Sequence, residues 1–253
     1  MTPQGDQGCI ASRCSRPWRP LRSRFRCRPA EPQPFALKAE ALVEIDATGK
    51  LVRVQAVEDL PPAIRAYIEK EVATWQFKRK DASPVGNATT WVNVHACGMP
   101  APGGYSMGLS FHGNGPRIMD IATSRSGGKL AAAVGRSDWE GRIKAHYLVN
   151  PDGTAHIESI EGLPEGRAGK LLKPAVEAFV EDLHYGPESL DGKPVATRAT
   201  LPFQFQQGGS MPTRDELIAR AVESDACKRA GAPASPAQAI AFDSAVDVLV
   251  PQN

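Results

Sequence analysis

The sequence predicts an α+β protein built from two ββαβ units, each a three-stranded antiparallel sheet with one helix, followed by a short carboxy-terminal helix. Three observations carry this. The order strand, turn, strand, helix, strand is read twice, from residue 37 and again from residue 142. Apolar residues recur at three-and-four spacing in the helical stretches and alternate in the flanking ones. No stretch approaches the roughly 18 uninterrupted apolar residues of a membrane-spanning helix. The expected divisions of the 253 residues are a disordered tail (1–36), a first unit (37–97), a linker with one short strand (98–138), a second unit (139–207) and an extension with a helix (208–253).

In the first unit Leu42–Ile45 is β-prone, residues 46–49 read as a turn, and Leu51–Val57 is β-prone again. Pro61 and Pro62 open a helix, because a first turn has no use for the N–H that proline lacks. Ile64, Tyr67, Ile68, Val72 and Trp75 mark its buried face, and residues 89–94 form the last strand. A regular hairpin would pair Ile45 with Leu51 but Val43 with Arg53, which predicts a bulge or a slip.

The second unit is more regular. Ile143, Ala145, Tyr147 and Val149 alternate up to Asn150-Pro151-Asp152-Gly153-Thr154, a three-residue hairpin loop with glycine at its left-handed position. The register that keeps Tyr147, Val149 and Ile157 on one face pairs Val149 with Ala155 and Tyr147 with Ile157, leaving His146, Leu148, His156 and Glu158 on the other. Leu163-Pro164 precedes a stripe of Ala168, Leu171, Leu172, Ala175, Val176, Phe179 and Leu183, with Pro174 marking a kink or a late start. Residues 191–194 turn into a last strand, Val195–Phe205. Thr213 and Glu216 have capping-box spacing, which predicts a helix through Leu217, Ile218, Ala221 and Val222. Residues 245–250 suit strand or helix.

Charge is divided unevenly. Residues 1–30 hold seven arginines and one acid, Asp6, so the remaining 223 residues carry −4 beneath the net +2. A mildly acidic body lacks the positive face that displaces phosphate counterions, which argues against nucleic acid as a partner. The Arg/Pro-rich tail has no apolar periodicity and no h-region of secretory length. A basic arm is one reading of it. The preferred expectation is a true start upstream of Met1, with a signal peptide ending near Ala30. Outside the tail only Cys97 and Cys227 remain, either as one disulfide in an oxidising compartment or as two buried thiols. Cysteine and histidine spacing offers no metal site, and no cofactor is expected.

Gly104-Tyr105-Ser106-Met107-Gly108 matches the G-x-S-x-G elbow of hydrolases. The elbow needs a strand before the serine and a helix directly after it. Proline and glycine precede it here and more glycine follows, so hydrolysis is the alternative reading and no catalytic residue is expected.

The order and motifs of the second unit resemble the TonB carboxy-terminal domain. They are Glu140-Gly141-Arg142-Ile143, Tyr147-Leu148-Val149, Pro151-Asp152-Gly153, Tyr185-Gly186-Pro187 and Asp191-Gly192-Lys193-Pro194-Val195, closing in Phe203-Gln204-Phe205. The first unit carries Trp75-Gln76-Phe77 but lacks the following proline and the Gly-Lys-Pro-Val. The resemblance covers about half of the chain. It implies a non-enzymatic protein of the periplasm or cell envelope that binds a protein or peptide partner, such as an outer-membrane receptor segment, by strand addition in TonB-type transport. In the family the receiving edge is the last strand, here Thr197, Ala199, Leu201, Phe203 and Phe205, where Pro202 fits an edge or bulge. The membrane anchor and long proline-rich spacer of an energy transducer are not read in this sequence, which favours a binding module over a transducer. A self-associating structural module, with the edges paired internally or in a homodimer, is the bland alternative.

Overall fold

The computed structural model describes residues 32–80, 86–119, 125–206, 213, 216, 219, 223–228 and 243–250. The predicted tail through residue 31, the turn over 81–85, and Leu217, Ile218, Ala221 and Val222 of the predicted helix lie outside the described residues. The fold is α+β, and every strand pairing among the described residues is antiparallel.

The first half starts with β1 (Phe35–Ile45) and β2 (Leu51–Ala56), followed by α1 (Pro62–Val72), β3 (Gln76–Arg79) and β4 (Ala88–Ala101). β4 lies against β1, giving the order β4-β1-β2. The hairpin contains a bulge: Glu44 pairs with Arg53 and Ile45 with Leu51, so Val52 has no partner across the ladder. The extra residue resets the two-residue period of β2, so that Leu51 lies opposite Ile45 and Val54 opposite Val43 and both pack against the core. Ala41, Val43, Ile45, Val92 and Val94 pack with Ile68, Val72 and Trp75 on one face of this sheet.

The stretch expected to be a linker differs from the prediction. β5 (Gly104–Gly115) folds back on β4 along its length, β6 (Arg117–Ile118) follows, and residues 126–137 form α2 (Ser126–Ser137). Glycines at 104, 108, 113 and 115 hid the strand, because glycine is depleted in strands that stand alone. β5 is held instead by the β4 ladder and by Leu109 and Phe111, with Phe111 edge-on to Trp75 at 5.6 Å. With two short strands described below, the first sheet has six strands rather than three.

The second half has β7 (Gly141–Val149), β8 (Ala155–Glu161), α3 (Gly166–Glu181) and three two-residue strands, β9 (Tyr185–Gly186), β10 (Ser189–Leu190) and β11 (Lys193–Pro194). β12 (Thr197–Phe205) then pairs with β7, giving the order β12-β7-β8. Val149 faces Ala155 and Tyr147 faces Ile157, with one bulge at Glu158. α3 runs through Pro174. Leu172, Val176 and Val180 of α3 enter a second core with Ile143, Tyr147 and Val149, to which α2 adds Leu130 and Ala133.

The halves are joined by exchanged segments. β10 and β11 extend the first sheet at the start of β4, and β6 pairs with β9. The carboxy-terminal segment contributes α4 (Asp225–Lys228) and β13 (Val246–Leu249), and β13 pairs with β3. Residues 245–250 thus resolve mainly to strand. Thr213 and Glu216 make the reciprocal bonds of a capping box. A disulfide joins Cys97 of β4 to Cys227 of α4 across 130 residues of sequence. No helix among the described residues is long and apolar enough to cross a membrane.

Candidate functional site

β12 pairs with β7 at all nine positions, from Thr197 opposite Val149 to Phe205 opposite Gly141. Backbone groups alternate in direction along an antiparallel strand. The amide of Arg198 donates to the Asp243 carboxylate, away from β7. By alternation Thr197, Ala199, Leu201, Phe203 and Phe205 make the ladder to β7, and their side chains turn toward the second core. Thr197 is instead buried under Glu188, to which its hydroxyl donates at 3.0 Å. Arg198, Thr200, Pro202 and Gln204 therefore carry the backbone groups that look outward.

This outward row is unequal along its length. Arg198 is engaged by Asp243 and by Glu158, whose two carboxylate oxygens both accept from its Nε at 3.0 Å. Pro202 has no N–H. What β12 presents beyond Arg198 is the carbonyls of Thr200, Pro202 and Gln204 and the amides of Thr200 and Gln204. The Thr200 side chain does not point outward along that border: its hydroxyl meets His146 Nδ1 across the sheet at 3.0 Å. Thr197, Ala199, Leu201, Phe203 and Phe205, expected at the receiving edge, thus make the inner ladder, and the outward set follows only once the register is known.

The other singled-out residues are dispersed. Ser106 lies inside the β4–β5 ladder opposite Met99, with strand rather than helix after it. That is not the strand–turn–helix geometry of an elbow. His146 Nε2 lies 3.1 Å from Glu161. No group of three His, Cys, Asp or Glu residues suited to a metal ion occurs among the described residues.

Two features had no signal in the sequence pattern. The first is Glu188, fully buried where the halves meet. Its Oε1 accepts from Thr90 at 2.5 Å and Ser244 at 2.6 Å, and its Oε2 from Thr197 and the Ala245 amide at 3.0 Å each. Asn114 bridges to Ser244 and to the Val246 carbonyl, each at 2.8 Å. Four donors converge on a group that only accepts, so the burial of a carboxylate is offset by its hydrogen bonds.

The second is a cavity of about 250 Å³ on the face of the first sheet opposite α1, lined in part by Lys38, Glu40, Asp59, His95, His112 and Arg117. Asn93 pairs with Gly113 and Val94 with Phe111, so His112 is the extra residue of a bulge. The bulge sets its ring against His95, with centroids 4.3 Å apart and planes 21° from parallel. Burial, then His112 and Lys38, hold the His95 pKa down to about 4; burial and Lys38 lower that of His112. His95 Nε2 is buried with no hydrogen-bond partner among the described residues, a cost of about 1–3 kcal/mol. At the other wall Arg117 Nε donates to Glu40 at 2.6 Å, and its guanidinium lies 4.6 Å over the Trp91 ring. Burial raises the Glu40 pKa; Arg117 opposes that rise and Asp59 adds to it. A second cavity of about 470 Å³ shares Val57, Asp59 and Arg117 and continues past Leu42 and Trp91.

Comparison of the chain with known protein families, curated proteins and solved structures finds no match.

Proposed function

We propose that the chain is a non-enzymatic binding protein of the cell envelope, made of two divergent ββαβ copies like the TonB carboxy-terminal domain, that accepts an extended segment of a protein partner as an added strand on β12. The observation that carries this reading is that β12 pairs along its whole length on one side, while its outward groups beyond Arg198 meet no strand among the described residues. Such a row supplies main-chain affinity to a guest strand, with three carbonyls to receive its amides and two amides to meet its carbonyls.

Duplication is supported by details that a chance likeness would not share. Both turn glycines, Gly49 and Gly153, have φ of +83°. A Cβ on either would lie 2.5 Å from the Phe77 carbonyl oxygen or 2.6 Å from that of Tyr185, the residues at matching places after each helix. A cell-envelope location is supported by the Cys97–Cys227 bond, which persists in oxidising compartments.

The test is site-specific crosslinking. A benzophenone side chain at Gln204 is expected to capture an envelope protein, and one at Val52, on the border of the other sheet, is not. Thr200→Pro should abolish the adduct at 204 while leaving the melting temperature within about 2 °C. Equal capture at both positions, or an adduct only with a second copy of the chain, would overturn the reading, the latter in favour of a self-associating module.

A further inference from the structure

We propose that the cavity lined by His95 and His112 binds a small zwitterion of the amino-acid class, its carboxylate toward Lys38 and the imidazoles and its ammonium toward Asp59. This site lies on the first sheet and does not depend on strand addition at β12.

Charge is divided between the cavity's two walls. Lys38 sits close enough to both imidazoles to act on them, and Asp59 close enough to Glu40 to do the same. Lys38 and Asp59 are both exposed, and no ion pair joins them. Arg117 is fixed by Glu40 at Nε and by Trp91 beneath it, so the charges of Arg117 and Glu40 offset each other and Asp59 gives that wall its net negative sign. A singly charged ligand would meet one wall of its own sign, whereas a zwitterion satisfies both. Opposite charges on the walls therefore select for separated opposite charges in the guest.

Size points the same way. The volume of about 250 Å³ lies between the roughly 150 Å³ that admits benzene and the 300–1,000 Å³ of drug-sized pockets. The adjoining cavity, with Leu42, Val57 and Trp91 in its wall, gives an aliphatic side chain somewhere to go. The stacked histidines belong to the same account. Neutral imidazoles tolerate face-to-face contact at 4.3 Å, so the pair can line the cavity without adding charge to the Lys38 wall.

The experiment titrates the full chain with L-leucine, leucinamide and 4-methylpentanoate, following the imidazole resonances of His95 and His112 together with calorimetric heats. Leucine is expected to bind and move both sets of resonances. Each singly charged analogue should bind at least about tenfold more weakly, as should leucine to Lys38→Met and to Asp59→Asn. Both substitutions are at exposed positions, and unchanged melting temperatures would show that the fold is intact. Thr200→Pro should leave leucine binding as it was. Silence of both imidazoles up to about 10 mM leucine, equal binding of 4-methylpentanoate, or full affinity in Asp59→Asn would overturn the proposal.

Discussion

The strand that follows the helix has opposite fates in the two halves. β4 and β12 each pair with the first strand of the hairpin before them, yet β4 is covered on its far side by β5, whereas the far side of β12 meets, among the described residues, the Asp243 carboxylate at Arg198 and no strand. Sheet borders are reactive, and a chain either fills them or leaves them for a guest. The first half covers the far side of β4 from its own sequence, and in doing so builds the bulge that stacks His112 on His95. In the second half the border stays free of strands among the described residues, and proline at 202 limits its donors. The same local design thus yields a cavity in one half and an exposed strand in the other.

The contrast depends on the two halves being held together, and Glu188 is where that is decided. Its partners Thr90, Ser244, Ala245 and Thr197 come from β4, the carboxy-terminal segment and β12. Glu188→Ala should destabilise the chain by about 3–5 kcal/mol, because it orphans several buried donors at once. Glu188→Gln should recover only part of that, since its amide NH₂ faces donors rather than acceptors. Chemical denaturation measures both. A loss below 1 kcal/mol in the alanine variant would mean that the junction is held by the strand exchanges alone.

Proline scanning addresses the two borders directly. Ala96 is fully buried in β4, between Leu37 on β1 and Leu109 on β5. Ala96→Pro should cost roughly 3 kcal/mol or more, through a lost ladder bond, an orphaned carbonyl and the steric demand of the ring. Thr200→Pro removes an N–H that no strand receives among the described residues and should cost about 1 kcal/mol or less, chiefly the Thr200–His146 bond. Equal losses would show that β12 is covered after all, and its place as a receiving edge would fall.

What was legible in the sequence follows the same division. The second hairpin's register could be read because Tyr147, Val149 and Ile157 alternate around a loop of known geometry, and the structure keeps Val149 opposite Ala155 and Tyr147 opposite Ile157. The misfit of Val43 with Arg53 pointed to a bulge, and Val52 takes it. Only a short strand was expected where β5 runs the length of β4, and α2 was missed, because glycine dominates one and interrupts the other, and both depend on partners distant in sequence. Leu130 and Ala133 of α2 reach the second core only once α3 is in place. Glu188 and the His95–His112 pair were illegible for a similar reason. A polar residue needs no periodicity to be buried, only donors brought to it by the fold, and the bulge at His112 leaves no mark in hydrophobic spacing.

Acid should separate the halves further, with the smallest effect of the three. The folded His95 pKa is lowered from about 6.5 to about 4 and that of His112 is lowered as well. The native state therefore prefers both rings neutral. Their contribution is fully present above pH 6.5 and is lost as pH falls toward about 4, while the unfolded chain takes up protons that the native rings refuse. Lys38 next to the pair deepens this loss, and Glu40, Arg117 and Asp59 on the opposite wall are the other charges facing the cavity. With His95 partly buried and His112 exposed, the loss should be about 1–2 kcal/mol after allowance for solvent screening. Asp46 and Asp152, at the two hairpin turns, also have lowered pKa values, held down by bonds from Thr48 and Thr154, so both turns lose stability only below about pH 4. Hydrogen exchange at pH 5 against pH 7 should thus show β4 and β5 opening more readily while β7 and β12 keep their protection. His95→Gln combined with His112→Asn should remove the difference. Equal loss of protection in both halves at pH 5, or a difference that survives the double substitution, would mean that the stacked pair is not the acid-sensitive element.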